Sequence, residues 1–252
     1  MVNVSPKAKV GKNCKIASTA IIHDNVVLGD NCSIGEYAVL GVQPKNTTTD
    51  PLVIGENSTI RSHCVLYQGS KFGRDLNVGH HTMIREGIKA GVNLQVGSFN
   101  DIEGDATFGN WVRFHSNVHV GRGSKIGDLV WLFPYVVLTN DPIPPSGLKY
   151  GATLSDGVVV CTAAIILPGA DLDVGAFIAA SAKVGGNVDK GALVVGERGK
   201  TIGDVRKLKH METNKQHPWM NHFSNHYPEE AQNKIREIQQ ILSNHFESSF
   251  KN

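Results

Sequence analysis

The sequence predicts an all-β fold, a prism wound from short strands that turn every six residues. Three observations carry this prediction. Apolar residues recur every six positions, glycine often follows them directly, and a small residue recurs four places after them. Stepping from Val4 gives Val10, Ile16, Ile22, Leu28, Ile34 and Leu40; the series resumes unbroken from Ile54 to Leu138, and again from Val160 to Val184. All 27 positions are apolar, which at 40% hydrophobic composition has a chance of about 10⁻¹¹. Six is a multiple of two, so these residues point to one side of an extended strand. A helix, with about 3.6 residues per turn, would scatter them around its axis.

Each element of the repeat has a physical reading. Glycine follows the apolar residue at thirteen positions, as in Val10-Gly11, Ile34-Gly35 and Val78-Gly79, where a turning backbone crowds. The small position holds Cys14, Ala20, Cys32, Ala38, Cys64, Thr82 and Ala106 among others, so one large and one small side chain point inward per repeat. Cys14, Cys32 and Cys64 therefore read as buried small hydrophobes, and Cys161, one place past an inward residue, as a more exposed thiol. Without a CxxC pair, the four cysteines fit free thiols in a reducing, cytoplasmic setting.

Two segments break the phase. Residues 42–53 (VQPKNTTTDPLV) and 140–157 (NDPIPPSGLKYGATLSDG) have loop composition, and long loops on a regular scaffold are where binding groups sit. Past the repeat, Pro228 opens an expected helix with Ala231, Ile235, Ile238 and Leu242 on one stripe, a docking face. The expected domains are a prism over 1–203 and a helical extension over 204–252. Composition excludes other classes. Twenty-five basic against 23 acidic residues leave +2, no field for nucleic acid or an anionic membrane. The longest apolar stretch, Val158 to Leu167, falls short of the ~20 residues of a membrane helix, and the first residues lack the apolar core of a signal peptide.

The pattern [LIV]-G-x-x-[small]-x, over residues 1 to about 200, resembles that of the hexapeptide-repeat acyltransferases. The resemblance implies a left-handed parallel β-helix with three hexads per coil, hence about nine coils and, at ~4.8 Å per coil, a height of about 40 Å. It also implies a homotrimer with active sites in the clefts between prisms. DKGALVVGERGK resembles the family's closing stretch near the coenzyme, with Glu197-Arg198-Gly199-Lys200 where Asn-Pro-Ala-Lys is usual.

Eighteen residues per coil set side chains above one another. His63 and His81 then share a column with Phe99, Asn117 and Tyr135. Asp101 lies under His119, both outward, a carboxylate–imidazole pair that fixes a tautomer and raises basicity for general-base work. Arg85 is expected to stack with Glu103, and Asp105 to share a column with Asp141. His80, His81, His115 and His119 form a belt just below the 140–157 loop.

VGHHTMIREG, IEGDATFG, FHSNVHVG and VVLTNDPIPPS resemble segments of bacterial N-acetyltransferases that act on nucleotide-linked amino sugars. In those a T-N-D segment enters the loop over the cleft, matching Thr139, Asn140 and Asp141. Many relatives carry an E-H-D or E-G-H segment whose His is a base candidate; here the stretch reads Glu103-Gly104-Asp105. The base then falls to His119 oriented by Asp101, to His81, or to His115. The resemblance implies direct attack of a sugar amine on the thioester of acetyl-CoA, with no metal and no covalent intermediate. Asp141 or Asp101 would hold the ammonium, and His80, Arg85, Glu103, Asp105, Asn117 and Asn140 would line the substrate. Lys183, Arg198 and Lys200 would meet the coenzyme phosphates. Three rival readings remain on the same fold: a sugar O-acetyltransferase, a non-catalytic trimeric scaffold, and a metal enzyme like the γ-class carbonic anhydrases. The last asks for His at 117, where Asn117 stands.

Overall fold

A computed structural model describes residues 3–45, 49–196 and 209–215, with scattered helical positions between 229 and 244. Thirty strands, most of two residues, form three parallel sheets of ten strands each. Every strand pairs with the third one after it, so each coil contributes one strand to each of three faces. The register is that of the column arithmetic: Asp101 pairs with His119, Gln95 with Arg113, and Lys71 with Lys89.

Ten coils stand where about nine were expected. The additional inward residues are Leu154, Val188 and Val194. Leu154 stands six residues before Val160 but inside the segment 140–157 read as loop, and Val188 follows Val184 after a shortened corner. The loop's bounds hid the first, and strict stepping misses the second.

The large inward residues meet along the axis: Leu66, Ile84, Ile102, Val120 and Leu138 are wholly buried. Each such side chain contributes on the order of 1.5–3 kcal/mol of burial. Cys32 and Cys64 are buried at the small position, and burial pushes both thiols above their usual range. Buried polar groups at that position are satisfied from within: Asn100 Nδ2 donates to the Gly97 carbonyl at 2.7 Å, and its Oδ1 accepts from Val118 N at 2.7 Å. The glycines stack coil on coil; a Cβ built on Gly79 would lie 2.5 Å from the carbonyl carbon of Gly97.

Both breaks in phase are insertions between strands, the first after Val39–Val42 and the second after Val137–Leu138. Tyr150 N donates to the Asn140 carbonyl at 2.6 Å and pinches the base of the second. The chain divides into two compact units, Met1–Asn140 with Lys149–Glu197, and Asp141–Leu148 with Arg198–Asn252. Within the second, buried His210 donates through Nε2 to the Ser146 carbonyl (3.1 Å) while Nδ1 accepts from Thr213 N (3.2 Å). Glu229, Gln232, Gln239 and Asn244 are among the helical positions, whereas Arg198, Lys200 and the stripe of Ala231, Ile235, Ile238 and Leu242 lie outside the described residues. No helix among the described residues is long and apolar enough to cross a membrane.

Candidate active site

The outward face of the first sheet is apolar through Ile21, Val39, Val65 and Met83, and again at Val137 and Ile165. Asp101 and His119 interrupt it. His119 Nδ1 stands 3.2 Å from Asp101 Oδ2, with the imidazole about one-third exposed (32%). A carboxylate only accepts, so the neutral ring carries its proton on Nδ1 and its lone pair on Nε2. The hydrogen bond to Asp101 raises the His119 pKa above its usual value; burial opposes this, and the charges of Asp101 and Glu103 add to it. The second carboxylate oxygen, Asp101 Oδ1, is buried and has no partner among the described residues. A buried acceptor left unspent is costly.

A charged cluster occupies the adjoining corner. Arg122 is its centre: Nη2 donates to Glu86 Oε1 at 2.6 Å, Nη1 pairs with Asp105, and its backbone N–H donates to Glu103 Oε2 at 3.0 Å. The same Glu103 oxygen accepts from Asn140 Nδ2 at 2.5 Å, tying the start of the loop to the prism. Arg85 and Glu103 share a column as the 18-residue step predicts, but Arg85 pairs with Glu86 at 3.2 Å, because Glu103 is turned toward Arg122 and Asn140. Nor does Asp141 share a column with Asp105: the insertion carries Asp141 out of the repeat, and Gly151 takes the place above Gly123. Asp141 instead accepts from Ser146 Oγ, from Ser146 N (2.9 Å) and from Ile143 N (3.1 Å), a turn within the second unit.

Sequence reasoning missed Glu86 and Arg122, although both were within reach of it. They stand two coils apart in one column with Gly104 between them, and a Cβ on Gly104 would run into the Glu86 carbonyl oxygen. Glycine there opens the path by which arginine reaches glutamate. Burial raises the Glu86 pKa, but the hydrogen bonds from Arg122, its own backbone and Arg85 outweigh it and hold the carboxyl below the usual range. Its stabilising effect is therefore present above the ordinary glutamate pKa and lost as pH falls through the lowered one. Arg122→Ala is expected to cost about 1–2 kcal/mol at neutral pH, read as a lower urea midpoint, and to narrow the loss of stability in acid.

The remaining candidates are spread over other faces. His81 belongs to a ring column at the corner between the third and first sheets: Tyr37–His63 at 5.0 Å, His63–His81 at 4.6 Å and His81–Phe99 at 5.0 Å between centroids. Asn117 continues that column in the same left-handed backbone conformation, φ 60°. His80 Nδ1 meets Ser62 Oγ at 2.7 Å. His115 lies on the third sheet's outward side, stacked on Phe133 at 5.0 Å. Lys183 stands in the same outward row as His119, three coils above it. The structure thus brings Asp101 to His119, Glu103 and Asp105 to Arg122, and Asn140 to Glu103; among the described residues neither His81 nor His115 pairs with a carboxylate.

The sequence family described as bacterial transferase hexapeptide (six repeats) matches residues 7–41. The Arabidopsis UDP-N-acetylglucosamine acyltransferase superposes on the chain with a TM-score of 0.56 at 18% identity, over 77% of this chain and 69% of that one. This chain is a hexapeptide-repeat left-handed β-helix. Two further solved structures superpose less well. A UDP-N-acetylglucosamine acyltransferase from Bacteroides fragilis 9343 gives a TM-score of 0.46 at 18% identity, over 75% and 68% of the two chains. The N-acyltransferase AntD from Bacillus cereus, solved with dTDP and coenzyme A, gives 0.20 at 16%, over 75% and 79%. No curated protein matches the sequence. At 18% identity the Arabidopsis match speaks to the fold alone.

Proposed function

We propose that this hexapeptide prism is an acetyl-CoA-dependent N-acetyltransferase acting on a nucleotide-linked amino sugar. The observation that carries the reading is the Asp101–His119 pair, set between apolar stretches of the first sheet's outward face. An amine must lose a proton to attack a thioester, and an imidazole held by a carboxylate is built to take it. In this reading the negative charge of Asp101 attracts the substrate ammonium and His119 Nε2 removes its proton. The freed amine attacks the thioester carbonyl, and backbone N–H groups at a corner hold the oxyanion. Collapse breaks the C–S bond; the nitrogen of the intermediate gives its second proton to the departing thiolate, and the His119 imidazolium releases the first to solvent.

Three further features support parts of this scheme. The superposable Arabidopsis protein is named for acyl transfer involving a nucleotide sugar. Lys183 lies along the His119 row, where a coenzyme phosphate would find a cation. The apolar remainder of that face suits burial against neighbouring copies in a homotrimer, and the four free thiols suit a cytoplasmic setting. A second reading, transfer to a sugar hydroxyl, draws on the same neighbour, whose named sugar bears an already acylated amine.

Matched nucleotide sugars with an amine or a hydroxyl at one carbon separate the two. With acetyl-CoA, thiol release and product mass are expected to show turnover of the amine at least about 100-fold faster. The opposite preference selects the hydroxyl reading, and no thiol release with any acceptor contradicts acyl transfer.

A further inference from the structure

Outside the Asp101–His119 face, the third sheet carries a group of aromatic side chains that the reaction does not use. Trp131 points outward directly above Arg113, and Arg113 above Gln95. Trp131, Phe133 and His115 form one slab: Trp131–Phe133 and His115–Phe133 centroids are 5.0 Å apart, and the Trp131 and His115 planes differ by 2°. A tryptophan left 39% exposed on a sheet's solvent face is unusual, because that face ordinarily alternates to polar residues. Beside the slab is a cleft of about 210 Å³ lined by Gln95, Arg113, His115, Ser116 and Trp131. The Arg113 guanidinium has no carboxylate partner among the described residues, whereas Arg74, Arg85 and Arg122 each have one.

A flat π surface, a small cleft and an unspent guanidinium are complementary to one chemistry: a heterocyclic base that stacks, joined to a phosphate that pairs with arginine. We propose that this cleft binds the nucleotide end of a substrate, its base against Trp131 and its phosphate on Arg113. The Gln95 amide already hydrogen-bonds to Asn77, Asn93 and the Asp75 carbonyl, so it closes the cleft floor and does not read the base. Naming the source rests on the acyltransferase reading, which offers two: the nucleotide of the sugar and the adenine nucleotide of coenzyme A.

Titration calorimetry with UDP and, separately, coenzyme A tests this on the wild type, Arg113→Gln, Trp131→Ala and Trp131→Phe. At least one ligand is expected to bind the wild type, about tenfold or more weaker in Arg113→Gln and Trp131→Ala, with Trp131→Phe restoring most of the affinity. Loss confined to UDP assigns the cleft to the sugar nucleotide, and loss confined to coenzyme A assigns it to the coenzyme. Arg113 is exposed, so its variant keeps the test open should Trp131→Ala fail to fold. Binding of neither ligand to the wild type, or wild-type affinity in Arg113→Gln and Trp131→Phe with Trp131→Ala folded and unchanged, overturns the proposal. Nucleotide binding that needs Arg113 in a protein that transfers no acyl group overturns the transferase reading alone. Acyl transfer with wild-type KM in both Arg113→Gln and Trp131→Ala overturns the cleft alone.

Discussion

His119→Ala is expected to lower kcat for acyl transfer by about 10²–10⁴-fold, the usual worth of a positioned general base, while the chain keeps its wild-type unfolding midpoint within about 0.5 kcal/mol. The asymmetry follows from geometry. His119 lies on the outward side of its strand, one-third exposed, so its removal opens no cavity in the axis. His81→Ala is expected to leave kcat within a few-fold, because that ring packs between His63 and Phe99 with no carboxylate among the described residues to orient it. Equal losses in the two variants would remove the Asp101–His119 pair from its assigned role. The linkage of His119 to pH has opposite signs for stability and for rate. Its pKa is raised, so the pairing with Asp101 stabilises the fold fully below the unfolded imidazole pKa and is lost as pH rises through the raised one. The base works only when neutral, so the rate climbs over the range where that stabilisation fades.

Gly79→Ala is expected to cost about 3 kcal/mol, near the upper end of overpacking. The new methyl would meet the Gly97 carbonyl carbon and Ser98 N at 2.5 Å, and backbone cannot rotate away as a side chain can. Gly175→Ala provides the contrast. Nothing lies within 4 Å of its Cβ position, and only its left-handed φ of 69° resists alanine, a cost of about 1 kcal/mol. Urea midpoints of the two variants separate crowding between coils from local backbone strain. Equal costs would contradict the account of glycine as a spacer between stacked coils.

The prism was legible because its cause is periodic. An inward residue every six positions and a coil of three such steps place Asp101 beneath His119 and His63 beneath His81 with no knowledge of contacts. Periodicity failed where the chain is not periodic: Leu154 and Val188 restart the phase after an insertion and a shortened corner, and Asp141 leaves its column with the loop. Column arithmetic also assigns neighbours without saying which way long side chains bend. Arg85 turned along its own strand end to Glu86, and Arg122 reached across two coils through the gap at Gly104. The burial of Asp101 Oδ1 is likewise a property of the surrounding packing, invisible in a column of letters. His115 lies four residues from His119, and the corner at Asn117 turns the chain between them from one face to the next.

The most direct test is the pH dependence of kcat/KM for acetyl transfer in the wild type and in Asp101→Asn. The wild-type acid limb should lie above the usual imidazole pKa of about 6.5, and in Asp101→Asn it should move to lower pH with a plateau reduced about 100-fold. Superimposable profiles would show that Asp101 neither raises the His119 pKa nor orients its ring for proton removal, and would contradict the catalytic role assigned to the pair.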